Sequence, residues 1–342
     1  MFHLICYNKT KREELIHLTL INQLKINSKD VILQFASHLN SKGRKESTIK
    51  RYCYDLEDCF RYFRKKDISL DALSISHFNE YFQYLITDRN YNEKTMHRIY
   101  VVLNQFYKFL QINDSTIQNI IPFTNYSAGP SRALSMDDFI SDGEEKQLLY
   151  ILKSTTDLSD KQLKARPYLM DRNDIMIRLM LYYGLSLKEC IDLQMRDINF
   201  AQNELTVHSK DGIKRLIRLE KEDRIRLYEY FVTIPEPVRP HYHSTHPLFV
   251  AFDFNRMTFH WVYDDDSPKA LTEIAFQKML RLEVKRAGLR KGLCSQHLRN
   301  TFILRKMKEG LQLEEIKQLV GFKTSVSLKR YFQYLEDQKL IN

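Results

Sequence analysis

Hydrophobic positions recur at helical spacing from about Ser28 to Ile112. Val31, Ile32, Phe35 and Leu39 share one face of a first helix. Thr48 opens a second, whose stripe is Tyr52, Leu56, Phe60 and Phe63. A third begins among Leu73, Ile75 and Phe78 and continues through Phe82 and Leu85. Thr95 opens a fourth, carrying Ile99, Leu103, Phe106, Phe109 and Leu110. Each stripe must bury against another, and short polar connections make such helices a small bundle.

Periodicity fades over 122–142, where Thr124 to Arg132, with Gly129-Pro130, reads as a linker. A second domain starts near Gly143. Ile175, Leu179, Leu181 and Tyr182 form a helix that Gly184 ends as a C-cap. Ser186 caps the next helix, and Glu189 three residues on completes a capping box. Leu205–His208 and Leu216–Leu219 read as two strands around the turn Ser209-Lys210-Asp211-Gly212. Further helices are expected over 272–287, 298–309, 313–320 and 325–335. The predicted layout is an N-terminal segment 1–27, a helical domain 28–121, a linker 122–142, and a mostly helical domain 143–342 with one small sheet.

Composition narrows the class. With 43% hydrophobic and 28% charged residues the chain suits a folded protein, and Gly (9) and Pro (8) are too scarce for a turn-rich all-β fold. No apolar run approaches the ~18 residues of a membrane span. The first twenty residues carry His3, Lys9, Lys11 and Arg12 and do not form a signal peptide. Five scattered cysteines suit reduced thiols and a cytoplasmic location. The net charge of +10 attracts polyanions, of which nucleic acid is the commonest. The start of the second helix (Lys45, Thr48, Lys50, Arg51) and of the fourth (Lys94, Arg98) are candidate phosphate contacts, because helix N-terminal amides add donors there. The alternative is simple solvation of those charges.

Several segments together resemble the tyrosine recombinase (phage integrase) family. Thr48-Ile49-Lys50-Arg51-Tyr52 and Leu103 to Leu110 resemble its core-binding domain. Tyr183-Gly184-Leu185-Ser186-Leu187-Lys188-Glu189, Asp197-Ile198, the Lys210 hairpin with Arg215, Gln296-His297-Leu298-Arg299-Asn300-Thr301-Phe302, and Leu319-Val320-Gly321-Phe322 followed by Tyr331 resemble its catalytic domain. The resemblance implies two mainly α-helical domains clamping double-stranded DNA. It also implies a tyrosine that attacks the scissile phosphate, two arginines and two His-type donors around the phosphorane, a hairpin lysine as general acid, and no cofactor or metal.

Carried over position by position, the set is incomplete. Tyr331, nine residues after Phe322, matches the nucleophile, Lys210 the general acid, and Arg299 the second arginine. Ser186 stands where the first arginine belongs, Gln296 where the first histidine belongs, and Phe322 where the last His or Trp belongs. His297 is one residue late, which turns it about 100° away on a helix. Loss of one charge-stabilising donor typically costs ~2.7–4 kcal/mol, so efficient strand exchange is not expected.

Phosphate contacts are spread over many side chains, and DNA binding survives such losses. Lys210, Arg215 and Arg299 then read as phosphate contacts, and Tyr331 as either a nucleophile or a packed aromatic. The group His241, Tyr242, His243 and His246 lies in a Pro-rich loop without Cys or carboxylate ligands, so a surface loop is expected, not a metal site. Asp264-Asp265-Asp266 reads as a solvated turn. The expected function is sequence-specific DNA binding without catalysis, as in a transcriptional repressor of a temperate phage or mobile element, possible as a homo-oligomer on DNA or with a regulatory partner. The alternative is an active site-specific recombinase with a diverged site.

Overall fold

The structure, a computed structural model, describes residues 28–341 apart from 70–71, 114, 116, 127–131 and 210–211. The predicted N-terminal segment 1–27 lies outside the described residues. The chain divides into two compact units, residues 1–131 and 132–342.

In the first unit, α1 (Ser28–Ser41), α2 (Glu46–Lys65), α3 (Ile75–Thr87) and α4 (Glu93–Asn113) enclose one core. The expected stripes supply it: Val31, Phe35, Leu56, Phe60, Phe63, Phe78, Phe82, Ile99, Leu103 and Phe106 are all buried. Edge-to-face ring pairs lock its centre, with Phe35 5.4 Å from Phe106 and Phe63 5.3 Å from Phe78. Two helix starts differ from the sequence reading. α2 begins at Glu46, two residues before Thr48, and α4 at Glu93, where the Asn92 side chain accepts from the Thr95 amide at 2.9 Å. Asn92 is the cap that hydrophobic spacing alone does not reveal.

One polar contact inside this bundle joins helices distant in sequence. Asp55 on α2 is 7% exposed and takes both Nε and Nη2 of Arg98 on α4, at 2.7 and 2.9 Å. Arg51, one turn earlier on α2, has its Nε 3.5 Å from Asp55 Oδ1.

The described parts of the expected linker belong to the units themselves. Tyr126 stacks on Phe82 of the first unit with centroids 5.1 Å apart, and the Asn125 amide donates to Asn79 Oδ1. Phe139 and Ile140 are buried in the second unit, and the Ile140 amide donates to Thr301 Oγ1 at 2.8 Å. Single aromatic anchors in an aperiodic stretch give no periodic signal, which is why these segments read as linker.

The second unit is mostly helical. It comprises α5 (Asp142–Ile151), α6 (Asp160–Tyr183), α7 (Leu187–Asp192), α8 (Lys221–Thr233), α9 (Glu273–Arg286), α10 (Ser295–Lys308), α11 (Leu313–Val320) and α12 (Lys329–Ile341). β1 (Ile198–Asn199), β2 (Glu204–His208) and β3 (Lys214–Arg218) form an antiparallel sheet in that order. Two further hairpins, β4 (Phe252–Asp253) with β5 (Thr258–Phe259) and β6 (Trp261–Val262) with β7 (Ser267–Pro268), correct the expectation of a single small sheet. Strands of two residues are too short to carry an alternation. α10 starts three residues before the expected Leu298, because Cys294 and His297 cap it.

Gly184 follows α6 at φ 69°, the left-handed cap that the sequence predicts. It also lets α10 approach, since a Cβ there would lie 2.5 Å from Phe302 Cε1.

Two stability outcomes follow from these contacts. Arg98→Ala leaves a buried carboxylate with one distant partner, so the urea midpoint should fall by an amount equivalent to ~1.5–3 kcal/mol; an unchanged midpoint would mean that Asp55 is satisfied without Arg98. Gly184→Ala meets both a strained φ and the Phe302 ring, and should lower stability by more than the ~1 kcal/mol of a strained φ alone, read from thermal unfolding. A smaller loss would show that the ring moves aside freely.

Candidate nucleic-acid interface

The site grows from one buried carboxylate. Gly184 turns the chain after α6, and Ser186 takes extended backbone angles as the N-cap of α7. Its amide and hydroxyl both donate to Glu189 Oε2, at 2.7 and 2.8 Å, which closes the predicted capping box. Glu189 is thereby fixed pointing inward from the first turn of α7.

β3 brings the second group. In the register of the sheet Val207 faces Arg215 and Leu205 faces Ile217. Val207 and Leu205 are buried, so Arg215 lies on the inner face while Leu216 between them is 62% exposed. Arg215 Nη1 donates to Glu189 Oε1 at 2.6 Å, with only 8% of its side chain exposed. Its path runs over Gly321, where a Cβ would come within 2.5 Å of Arg215 Nη1. Gly321 caps α11 at φ 67°, so a close approach and a left-handed turn fall on one residue.

α10 brings the third. Arg299 Nη1 lies 3.4 Å from Glu189 Oε2, and Nη2 donates to the Val320 carbonyl at 2.6 Å. The Phe322 ring lies 5.1 Å from the Arg299 guanidinium. Burial pulls the Arg299 pKa down; Glu189 opposes the shift and Arg215 adds to it. Burial alone would raise the Glu189 pKa, but the Arg215 hydrogen bond, the Arg299 charge and the Ser186 donors hold it below the ordinary glutamate range.

Tyr331 lies in a buried cluster of the same unit, against which Phe322 also packs. It is 1% exposed, and its hydroxyl donates to Asn300 Oδ1 at 2.7 Å and accepts from Arg330 Nη2 at 3.1 Å. Gln296 Nε2 donates to the same Asn300 oxygen at 2.7 Å, and Asn300 Nδ2 donates to the Asp138 carbonyl. Asn300 thus links two of the expected site positions. Sequence reasoning passed over it, although it directly follows Arg299.

His297 is turned to the helix start, where its Nδ1 accepts from the Cys294 amide and lies 3.1 Å from Cys294 Sγ. The Cys294 hydrogen bond raises the His297 pKa, and the His297 hydrogen bond lowers that of Cys294.

The structure therefore brings Ser186, Arg215 and Arg299 around Glu189, and Gln296 and Tyr331 around Asn300. Lys210 lies outside the described residues. In the first unit Lys45 and Lys94 are exposed, Thr48 is half-buried, and Lys50 pairs with Glu46 at 2.6 Å. Arg51 lies 3.5 Å from Asp55 on the same helix, and Arg98 pairs with Asp55 across helices, so one of the charges singled out for phosphate contact also ties the bundle together. Around the histidine loop, the His241 amide donates to His246 Nδ1. Among the described residues no group of three or more His, Cys, Asp or Glu is placed to hold a metal, and no helix is long and apolar enough to cross a membrane.

Comparison with known proteins agrees with this architecture. Residues 142–337 match the phage integrase family, and residues 31–116 match the phage integrase N-terminal SAM-like domain. The chain is 21% identical over 297 residues to tyrosine recombinase XerC of Pediococcus pentosaceus, covering 86% of this chain and 89% of the relative. Among solved structures, it is similar to the Tn1549 transposon integrase in complex with transposon right end DNA (TM-score 0.61, 14% identity, 91% of this chain and 99% of that one). It is also similar to a lambda integrase dimer bound to a COC' core site (TM-score 0.61, 15% identity, 92% and 81%). By its sequence match and its fold, the chain belongs to the phage integrase family of tyrosine recombinases.

Proposed function

We propose that this protein binds double-stranded DNA sequence-specifically and does not carry out efficient strand exchange. We further propose that it serves as a transcriptional repressor of a temperate phage or other mobile element. The observation that carries the reading is Ser186. Where the family fold calls for an arginine aimed at the scissile phosphate, a serine hydroxyl is spent on Glu189 at 2.8 Å. Gln296 and Phe322 replace two more donors, and Gln296 is engaged with Asn300. Rate loss at such positions is severe, since each preorganised donor is worth ~10²–10³ in rate, whereas affinity rests on phosphate contacts spread over a chain of net charge +10. Structural neighbours are described in complex with DNA, one of them as a dimer, which supports duplex DNA as the partner and assembly of copies on it.

A second reading, site-specific recombination, has specific support. The curated relatives carry the name tyrosine recombinase, and Tyr331 keeps the position of the nucleophile. For that reading to hold, Tyr331 must leave the hydrogen bonds to Asn300 and Arg330 and come out of the core.

A suicide duplex with a nick beside the cleavage point separates the two readings, once mapping of the sites bound in cells has supplied its sequence. The expected result is retention of duplex binding with no covalent adduct, and Tyr331→Phe should leave DNA affinity within about threefold of wild type, because phosphate contacts elsewhere carry the binding. An adduct trapped on wild type and absent from Tyr331→Phe would establish the recombinase instead.

A further inference from the structure

The side chains of Cys294 and His297 meet at the start of α10, apart from the contacts around Glu189 and Asn300. Both are half-buried. His297 Nδ1 lies 3.1 Å from Cys294 Sγ and 3.1 Å from the Cys294 amide nitrogen. The ring nitrogen serves these two neighbours in different charge states. Neutral, it accepts the amide hydrogen; as an imidazolium, it donates to the sulfur. The Gln296 and His297 amides, in the first turn of the helix, also donate toward the sulfur. Backbone and ring donors thus converge where a thiolate carries its charge. Two charged groups reach His297 from other elements. Arg290, in the loop after α9, opposes the imidazolium, and Asp138, before α5, faces it with the opposite charge. The other described cysteines lack such surroundings. Cys59 and Cys190 are buried, and Cys53, half-buried like Cys294, has its thiol pushed up by burial and by Glu57. A sulfur is a weaker acceptor than the Ser, Thr, Asp or Asn oxygen that an N-cap favours, so capping alone does not explain a cysteine here.

We propose that Cys294 and His297 form a thiolate–imidazolium pair, and that Cys294 is a modification site for small disulfides. The thiolate is the nucleophile of disulfide exchange, and a cationic neighbour and a helix N-terminus both favour it. In the step, the Cys294 sulfur attacks one sulfur of the incoming disulfide. A new S–S bond forms to Cys294, the S–S bond of the disulfide breaks, and the departing sulfur leaves as a thiolate. The proton that left the Cys294 thiol is held on His297 and passes to the departing sulfur, so the incoming disulfide is the only oxidant. Afterwards the Cys294 sulfur carries no charge, and His297 loses the partner that held its proton. The added group sits at the cap of the helix that carries Gln296, Arg299 and Asn300.

The test follows each cysteine of the full chain by peptide mass spectrometry. Iodoacetamide, a neutral probe, reports the thiolate at each position, and bis(2-hydroxyethyl) disulfide tests the exchange itself. At neutral pH Cys294 should react with both probes about tenfold faster than Cys53 or more, because the thiolate fraction governs the rate. Its alkylation should also reach half its maximum at a lower pH. In the urea-unfolded chain the two rates should converge, which assigns the gap to the fold. His297→Gln keeps an acceptor for the Cys294 amide and removes the imidazolium. With folding checked by circular dichroism, it should slow Cys294 about tenfold and leave Cys53 unchanged. In Cys294→Ser, which keeps an N-cap, the His297 ring should titrate at a lower pH than in wild type, read by NMR. Equal rates for Cys294 and Cys53 in the folded wild type overturn the pair, as does a folded His297→Gln variant that keeps the wild-type Cys294 rate. Fast alkylation of Cys294 without a mixed disulfide overturns the modification site.

Discussion

The Glu189 carboxylate joins three parts of the second unit that are far apart along the chain. It receives the amide and hydroxyl of Ser186 from its own helix start, Arg215 from β3, and Arg299 from α10. Removing a carboxylate from water is unfavourable, and only several charged or aligned donors together offset that loss. All four participants must therefore be in place at once. That requirement sets the register of β3 against β2, because a slip by one residue would turn Arg215 outward and Leu216 inward. It also fixes Gly321, over which Arg215 passes with no room for a Cβ.

What the sequence revealed and what it hid follow from the range of each interaction. The four stripes of the bundle, the Gly184 cap, the Ser186–Glu189 box and the β2–β3 hairpin are local, and each left a pattern within a few residues. Long-range polar pairs left none. Asp55 meets Arg98 and Glu189 meets Arg215 across sequence gaps that no spacing rule covers, although both carboxylates are plain to see. Hydrophobicity alone does not set the faces of β3 either. Lys214 to Arg218 carries adjacent apolar residues, and only pairing with buried Val207 shows that Arg215 is the residue that points in. The family match at Ser186, Gln296, Arg299, Phe322 and Tyr331 identified positions, but not that Asn300 links two of them.

Net charge proves a coarse guide to the binding surface for a related reason. Many arginines of the second unit are occupied inside it. Arg166 binds Glu283 at 2.6 Å, and Arg286 binds the other oxygen of the same carboxylate. Arg172, 4% exposed, donates to the Val250 carbonyl and to Asn173 with no ion pair to a carboxylate among the described residues, and burial lowers its pKa. Such side chains add to the composition and little to the outward field. In the bundle the same division separates exposed Lys45 and Lys94 from Arg98, which Asp55 draws inward. An arginine fork satisfies several acceptors in fixed geometry, and a lysine does not. The guanidinium groups consequently serve as internal cross-links more readily than the ammonium groups.

The residues matching the family's active site also have structural work that explains their presence without catalysis. Arg299 donates to Val320, the last residue of α11, whose carbonyl has no partner within the helix. Tyr331 fills the core beside Phe139 and satisfies Asn300. Truncating either would open a cavity or strand a buried polar group whether or not a phosphate is ever cleaved. Position 186 is different. An N-cap favours a short side chain that accepts a backbone amide, and serine serves there better than an arginine. Substituting serine strengthens the start of α7 while removing a charge that only a phosphate would need. Holding a phosphate needs positive charge at a fixed place, whereas cleaving one also needs a mobile tyrosine and proton donors.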